Sequence, residues 1–575
     1  MPEPTARTAQ TRPGPRLRAF GLGLAHAALF ALCFQPLGWW WAAFLAPVPL
    51  FAVARRPGAS PLSAGFWAML GVLPFWVWTH GWIANVSAAG VYPLVVYLGL
   101  YAWAFIALGA VMVRARRVPP AIGLAVLWVG LEFFRARIAW SGYPWYLTAH
   151  PLIDAPGLAA PAALGGVSLV SLLTVLPGAW FVCRRSSGRG LPAAIAGVML
   201  LWAAAGVLWS GRGRPDAVPV RVGVVQTNVP QDNRLSWTVE QRLMDWLKMR
   251  DLTVRVASED PPPELIVWPE GLVPGWTMDP RSLEQEFRRG IIWRLDPATP
   301  EEFEAIGHYG RAVPATQVVE ELLAMQAALG IPMLVGSVAY DGLDIVIDDS
   351  VRYESEAMYN SAFLLRNGRV SDVWYDKVHL TPFGETMPYI SHWDWLEERL
   401  LAIGAQGMTF ALSPGRSART IPLDRPGLPG VELATPICFE ATMPAVCRTL
   451  VNRAGRTGRA VLMVNITNDG WFGATDRGRL AHELSARWRC VELGVPMVRC
   501  ANTGVSGLID AKGRVVLRTA PRRAETVVVE ARAAAPRTPF ARSGEWAGWV
   551  CLGGAPVLVW LGRRRNSTEP AGRVE

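Results

Sequence analysis

Three short segments hold side chains whose types and surroundings could do chemistry. The first is Leu265-Ile-Val-Trp-Pro-Glu270, an apolar run ending in a carboxylate. The second is Tyr375-Asp-Lys-Val-His-Leu-Thr-Pro-Phe-Gly-Glu385, built around Lys377. The third is Thr435-Pro-Ile-Cys-Phe-Glu440, an apolar run ending at Cys438. A thiol, a carboxylate and an ammonium suffice for covalent acyl transfer. Cys438 would attack a carbonyl carbon and carry the acyl group as a thioester. Glu270 would take the thiol proton and later move the proton of an amine or alcohol. Lys377 would face the oxygen that gains negative charge in the tetrahedral intermediate, beside the backbone N–H of Phe439.

Alone, each residue has a plainer explanation. A single cysteine after a strand is usually a buried structural thiol, and a single lysine is usually on the surface. Composition adds weight to the lysine. Of 56 basic residues only Lys248, Lys377 and Lys512 are lysines, so a lysine inside this segment suggests that a compact ammonium is needed there. The conjunction of the three, each in its full local motif and in the order Glu–Lys–Cys, is what makes the set informative.

The elements that must position these groups lie between residues 218 and 533. Short β-rich runs recur at 220–226, 264–268, 332–338, 362–365, 431–437, 460–466, 497–501 and 526–530. Helical patterns at 318–329 and 482–493 fall between some of them. This alternation predicts an α/β domain with a buried mixed sheet, functional groups sitting at strand ends. Residues 271–314 are rich in Pro and charge and keep no clean period, so an inserted loop or lid is expected there.

The rest of the chain is apolar. Seven stretches precede residue 212, at roughly 18–34, 40–54, 62–79, 90–113, 118–138, 161–183 and 190–210, and an eighth covers 545–562. The arm 1–17 and the tail 563–575 are polar. The net charge of +10 is unevenly spread: residues 1–217 carry +12, the tail +2 and residues 218–562 a balance of −4. Arginines occupy alternate connections (Arg55/Arg56, Arg114/Arg116/Arg117, Arg184/Arg185/Arg189), while 35–39, 80–89 and 139–160 have neither Lys nor Arg. The basic excess is therefore a topology signal and not a nucleic-acid surface. It predicts a polytopic α-helical membrane domain of about eight spans with both termini cytoplasmic. The 218–533 domain, inserted between spans seven and eight, then lies on the opposite, periplasmic side. Seven scattered cysteines without CxxC spacing predict neither a metal site nor a disulfide framework.

The three segments resemble the signature blocks of the nitrilase, or carbon–nitrogen hydrolase, superfamily. So do Val222-Gly-Val-Val-Gln-Thr-Asn-Val-Pro-Gln231, Tyr359-Asn-Ser361, Asn465-Ile-Thr-Asn-Asp-Gly-Trp-Phe-Gly473 and Arg499-Cys-Ala-Asn-Thr-Gly504. The resemblance implies an α-β-β-α sandwich and a Glu270–Lys377–Cys438 triad with no cofactor. Glu385 and Glu440 match two supporting acidic positions, Tyr375 opens the lysine block, and Asn468 and Trp471 would line or brace the pocket. Glu132-Phe-Phe-Arg135 and Gly142-Tyr-Pro-Trp145 resemble a membrane-embedded branch of the same superfamily. That branch implies a phospholipid acyl donor and a diacylated lipoprotein acceptor at a bacterial inner membrane. His392-Trp-Asp-Trp-Leu396 and Phe410 would form a loop dipping into the interface. The chain departs from the pattern at Phe439, Gly470 and the long 271–314 insertion, which bear on access and not on the chemistry. Two other readings share parts of this evidence: a membrane-anchored amidase or nitrilase, and a non-catalytic binding or transport protein. Sparse intramembrane charge, limited to Glu132, Arg135 and Arg137, speaks against transport.

Overall fold

The computed structural model describes residues 14–564, apart from 115–117, 156, 187–189, 212, 214–215, 231–237, 276, 348–350, 394, 396–398 and 400–411. Apolar helices form its first part: α1 (Pro15–Leu32), α2 (Val48–Arg55), α3 (Pro61–His80), α4 (Val91–Met112), α5 (Pro120–Arg137), α6 (Val167–Cys183) and α7 (Leu191–Gly211). All eight apolar stretches are at least partly helical. Among the described residues, however, three helices are long and apolar enough to cross a membrane: Pro61–Asn85, Val91–Met112 and Leu191–Trp209. This is fewer than the eight spans expected, and the chain itself explains why. The 40–54 stretch breaks into a turn (Trp40–Phe44) and the eight-residue α2, with Pro47 and Pro49 at the join. Eight residues rise only about 12 Å, well short of the hydrocarbon core. Gly166, at φ +76°, separates α6 from the preceding turn, and α5 carries Glu132, Arg135 and Arg137 in its last turns.

The second part is a two-sheet sandwich. One sheet has the strand order β5 (Tyr375–Asp376), β4 (Ala357–Arg366), β3 (Met333–Asp341), β2 (Leu265–Val267), β1 (Val218–Gln226) and β12 (Glu525–Ala533), with Arg369–Val370 paired to β4. The other runs β6 (Ile421–Leu423), β7 (Val431–Ala434), β8 (Ala460–Thr467), β9 (Met497–Ala501), β10 (Gly507–Ile509) and β11 (Val515–Arg518). Both sheets mix parallel and antiparallel pairs. Strand periodicity assigns the faces. Leu265 and Val267 enter the core shared by the two sheets, while Ile266 between them faces outward onto α8 (Val239–Ala257) and α11 (Gln317–Leu329). The far face of the second sheet is covered by α12 (Pro444–Gly455) and α13 (Arg477–Leu493), whose Leu450, Val451, Cys490 and Leu493 join the same core. Trp546–Arg564 is the last helix, α14.

The 271–314 segment is folded, not a plain loop. It contains α9 (Pro280–Arg289), α10 (Pro300–Ile306) and a ribbon pairing Ile292–Arg294 with Ala312–Pro314. Leu272, Met278, Leu283, Trp293, Ile306 and Val313 sink into the outer core of the first sheet. The apolar residues are spaced for three short elements in turn, which is why no single period runs through the stretch.

The two parts share a continuous core. Phe439, Met443, Phe472, Trp488 and Val491 of the sandwich pack in one cluster with residues of α1 to α7.

Candidate active site

Each catalytic candidate sits where an extended segment ends. β2 runs through Trp268-Pro269 to Glu270, and β3 crosses directly behind it. A Cβ at Gly336 would meet the 269–271 backbone, with Gly271 N at 2.5 Å, so this approach requires glycine. Lys377 follows β5 and is fully buried. Its N–H donates to Asn360 O (2.8 Å), and its own carbonyl accepts from Gly415 N–H (2.7 Å). Cys438 follows the extension of β7, where Ile437 bridges Ile466 of β8, and it opens the turn Cys438–Thr442. Its φ is +51°, in the left-handed region that a non-glycine residue occupies only when its surroundings hold it there. Six of the seven free cysteines are buried, and Cys438 alone is partly exposed.

The fold brings the three together. The Lys377 ammonium lies 3.4 Å from Glu270 Oε1 and 2.7 Å from Glu385 Oε2. Glu270 also accepts from Asn360 Nδ2 (2.7 Å) and from the backbone N–H of Asn468 (2.7 Å). Glu385 accepts from the Thr381 N–H at 2.7 Å. Burial alone would discharge the lysine, but Glu385 and Glu270 overcome it and raise its pKa well above the usual value. Burial is also the largest influence on Glu385, yet the ammonium holds its carboxyl below the ordinary range. Burial and then the Glu270 charge push the Cys438 thiol far up, against the pull of Lys377. Burial and the Glu270 charge thus favour the neutral form of the Cys438 thiol, while the Lys377 charge opposes them.

The supporting residues divide. Glu440, fully buried, does not touch the lysine. It accepts from Tyr375 OH (2.8 Å), Val378 N–H (2.8 Å), His379 N–H (2.9 Å) and Ile437 N–H (2.8 Å), so it ties the lysine loop to the nucleophile turn. Burial pushes its pKa up to about 7, with the Ile437 N–H pulling the other way. Tyr375 serves that brace. Asn468 contributes its backbone, not its side chain, to Glu270. Phe439 is buried and stacks on the His379 ring at 6.0 Å. Trp471 is only half-buried in the turn Asp469–Phe472 and stands outside the apolar clusters; its neighbour Phe472 packs instead, edge-on to Trp82 at 4.6 Å. Trp393 and Trp395 are exposed, while Asp394, Leu396 and Phe410 of the expected interfacial loop lie outside the described residues, as does Gln231.

Sequence reasoning missed a second layer. His482 Nε2 is 3.1 Å from the Cys438 carbonyl, and its Nδ1 lies between Asp469 Oδ1 (3.0 Å) and Arg499 Nη2 (3.1 Å). Burial and then Arg499 lower its pKa, and since a carbonyl oxygen can only accept, the contact with the Cys438 carbonyl makes Nε2 the donor. Asn360 was visible only as part of Tyr359-Asn-Ser361. The loop before α6 adds a third layer. Glu132 accepts from Thr148 N–H (2.6 Å), and Arg135 donates to Trp145 O (2.8 Å), which sets the Trp145 indole against the His482 ring at 5.8 Å.

An α-β-β-α sandwich with Glu, Lys and Cys at its strand ends defines a carbon–nitrogen hydrolase, and the family model of that description matches residues 221–536. A second model, for the apolipoprotein N-acyltransferase N-terminal domain, matches residues 26–180. Apolipoprotein N-acyltransferase from Azotobacter vinelandii is 30% identical over 96% of this chain and 97% of its own. The protein of that name from Geobacter metallireducens is 27% identical over 96% of both chains. The chain belongs to the apolipoprotein N-acyltransferase family within the carbon–nitrogen hydrolases. Among solved structures, an amidase from Nesterenkonia sp. AN1 is 16% identical, with a TM-score of 0.34 over 58% of this chain and 97% of that one.

Proposed function

We propose that the chain moves an acyl chain from a membrane phospholipid to Cys438, and from there to the free N-terminal amine of a diacylglyceryl-cysteine lipoprotein. Glu270 takes the Cys438 proton as sulfur attacks the ester carbonyl. Lys377 and the Phe439 N–H stabilise the oxyanion, and collapse expels the lysophospholipid oxygen, which takes the proton back from Glu270. The amine then attacks the thioester, Glu270 accepts its proton, and the thiolate leaves and is reprotonated. No cofactor or metal enters this sequence. The single observation that carries the lipid reading is that Phe439, next to the nucleophile, is packed in the same core as the apolar helices. A site built for a small soluble amide has no need of that seat.

On this reading the helical part makes eight passes of an inner membrane, with residues 218–533 on the periplasmic face and both termini cytoplasmic. The alternating arginines support it, and all eight apolar stretches are at least partly helical. The test is incubation of the purified full chain with phospholipid, followed by mass spectrometry of the Cys438 peptide. An acyl adduct on wild type that is absent in Cys438→Ala is expected, and a diacylated lipopeptide should gain a third chain. No adduct on wild type, or an adduct surviving in Cys438→Ala, would overturn the mechanism.

A further inference from the structure

A cavity of about 60 Å³ lies where the ends of α1 and α3 meet α13 of the sandwich. Phe34, Trp78 and Tyr146 give it an apolar side, and Arg477, Arg487 and Arg518 a cationic one. Two of these arginines are matched: Arg487 pairs with Asp154 at 2.7 Å and Arg518 with Glu483 at 3.2 Å. Arg477 makes no ion pair among the described residues, and its guanidinium lies over the Trp78 ring, 4.8 Å from the centroid. Three guanidinium groups against two carboxylates leave one positive charge facing a cavity bounded by aromatic rings. This occurs at the level where the apolar helices end, the depth at which lipid phosphates lie and Trp and Tyr are favoured. Planar guanidinium groups pair bidentately with phosphate as with carboxylate oxygens, and phosphate is the anion that every phospholipid carries at that depth. Glu270, Lys377 and Cys438 are not among the residues lining this cavity, so a ligand here is not the one undergoing acyl transfer.

We propose that this cavity binds a phosphate group carried by a lipid headgroup, and that the bound lipid seats the catalytic domain on the membrane. The proposal requires the helices to lie in a bilayer but not the acyl-transfer reading.

The test uses the full chain in detergent with added phosphatidylglycerol, bound lipid being counted by native mass spectrometry. Three variants are compared with wild type: Arg477→Gln with Arg518→Gln, Arg518→Gln alone, and Arg459→Gln on the far surface. Lipid retention is expected to fall about tenfold in the double variant and by less in the single one, and to hold in Arg459→Gln. Inorganic phosphate should not displace the lipid; displacement would assign the cavity to free phosphate and overturn the lipid source. Equal retention in all variants would overturn the site. Acyl-adduct formation on Cys438 is read in parallel: its presence in the double variant shows that the protein is folded. Its absence from wild type with lipid still retained would count against the acyl-transfer reading alone.

Discussion

Glu385 lies closer to the Lys377 ammonium than Glu270 does, at 2.7 Å against 3.4 Å. The acid eight residues along the chain therefore clamps the cation, which leaves Glu270 engaged with Asn360, Asn468 and the lysine together. This separates two jobs that the order Glu–Lys–Cys leaves merged.

The clamp has a kinetic signature. Glu385→Gln removes the main charge keeping the lysine protonated and aimed, so single-turnover acylation of Cys438 should slow by about 10²–10³, as for loss of one oxyanion donor. Glu270→Gln also loses the base and should fall further. A Glu385→Gln enzyme acylating at the wild-type rate would show that Glu385 is only structural.

The protonation state of the nucleophile is testable by pH. A thiol whose pKa is raised is deprotonated to a smaller extent at every pH below that value. Iodoacetamide labelling of Cys438 should therefore climb about tenfold per pH unit from 7 to 9, without levelling near the free-cysteine value of about 8.5. A plateau below pH 8 would mean a resting thiolate and remove the need for Glu270 as base.

His482 should act by position. A left-handed non-glycine residue costs on the order of 1–2 kcal/mol, and one hydrogen bond contributes about 1 kcal/mol. The two are close enough that loss of the Cys438 carbonyl bond lets the turn relax. His482→Ala should lower kcat about tenfold with little change in KM, and His482→Gln, which can still donate, should recover part of it. Identical kinetics for the two variants would argue that His482 merely fills space.

Gly336 is a steric prediction. A Cβ there meets backbone and not a movable side chain, so Gly336→Ala must shift Glu270 or β3. Acylation should drop at least about 100-fold, since displacement of about 1 Å at a catalytic group has that scale. Normal activity would mean that the two backbones separate freely.

Glu270, Lys377 and Cys438 were readable as candidates because each sits inside a contiguous run, and a local run records which strand end a residue occupies. The main strands were readable for the same reason: Leu265, Ile266 and Val267 alternate between two faces. His482 was not, because it comes from a helix 44 positions beyond Cys438 and is spaced like any helical residue. Trp471 and Phe472 are neighbours in one turn, and packing against Trp82 decided which of them is buried. The short α2 was hidden because hydropathy counts apolar residues and not unbroken helical rise.

The sequence by itself determined the chemistry available, the order of the three candidate groups, the division into apolar and α/β parts, and the family. The tertiary structure decided which acid holds Lys377, that Glu440 braces backbone instead of touching the lysine, and that burial and Glu270 push the Cys438 thiol pKa up. The reason is physical. Ionisation and hydrogen bonding depend on burial and on distances of a few ångströms between segments far apart in the chain, and no local pattern of residues encodes those distances.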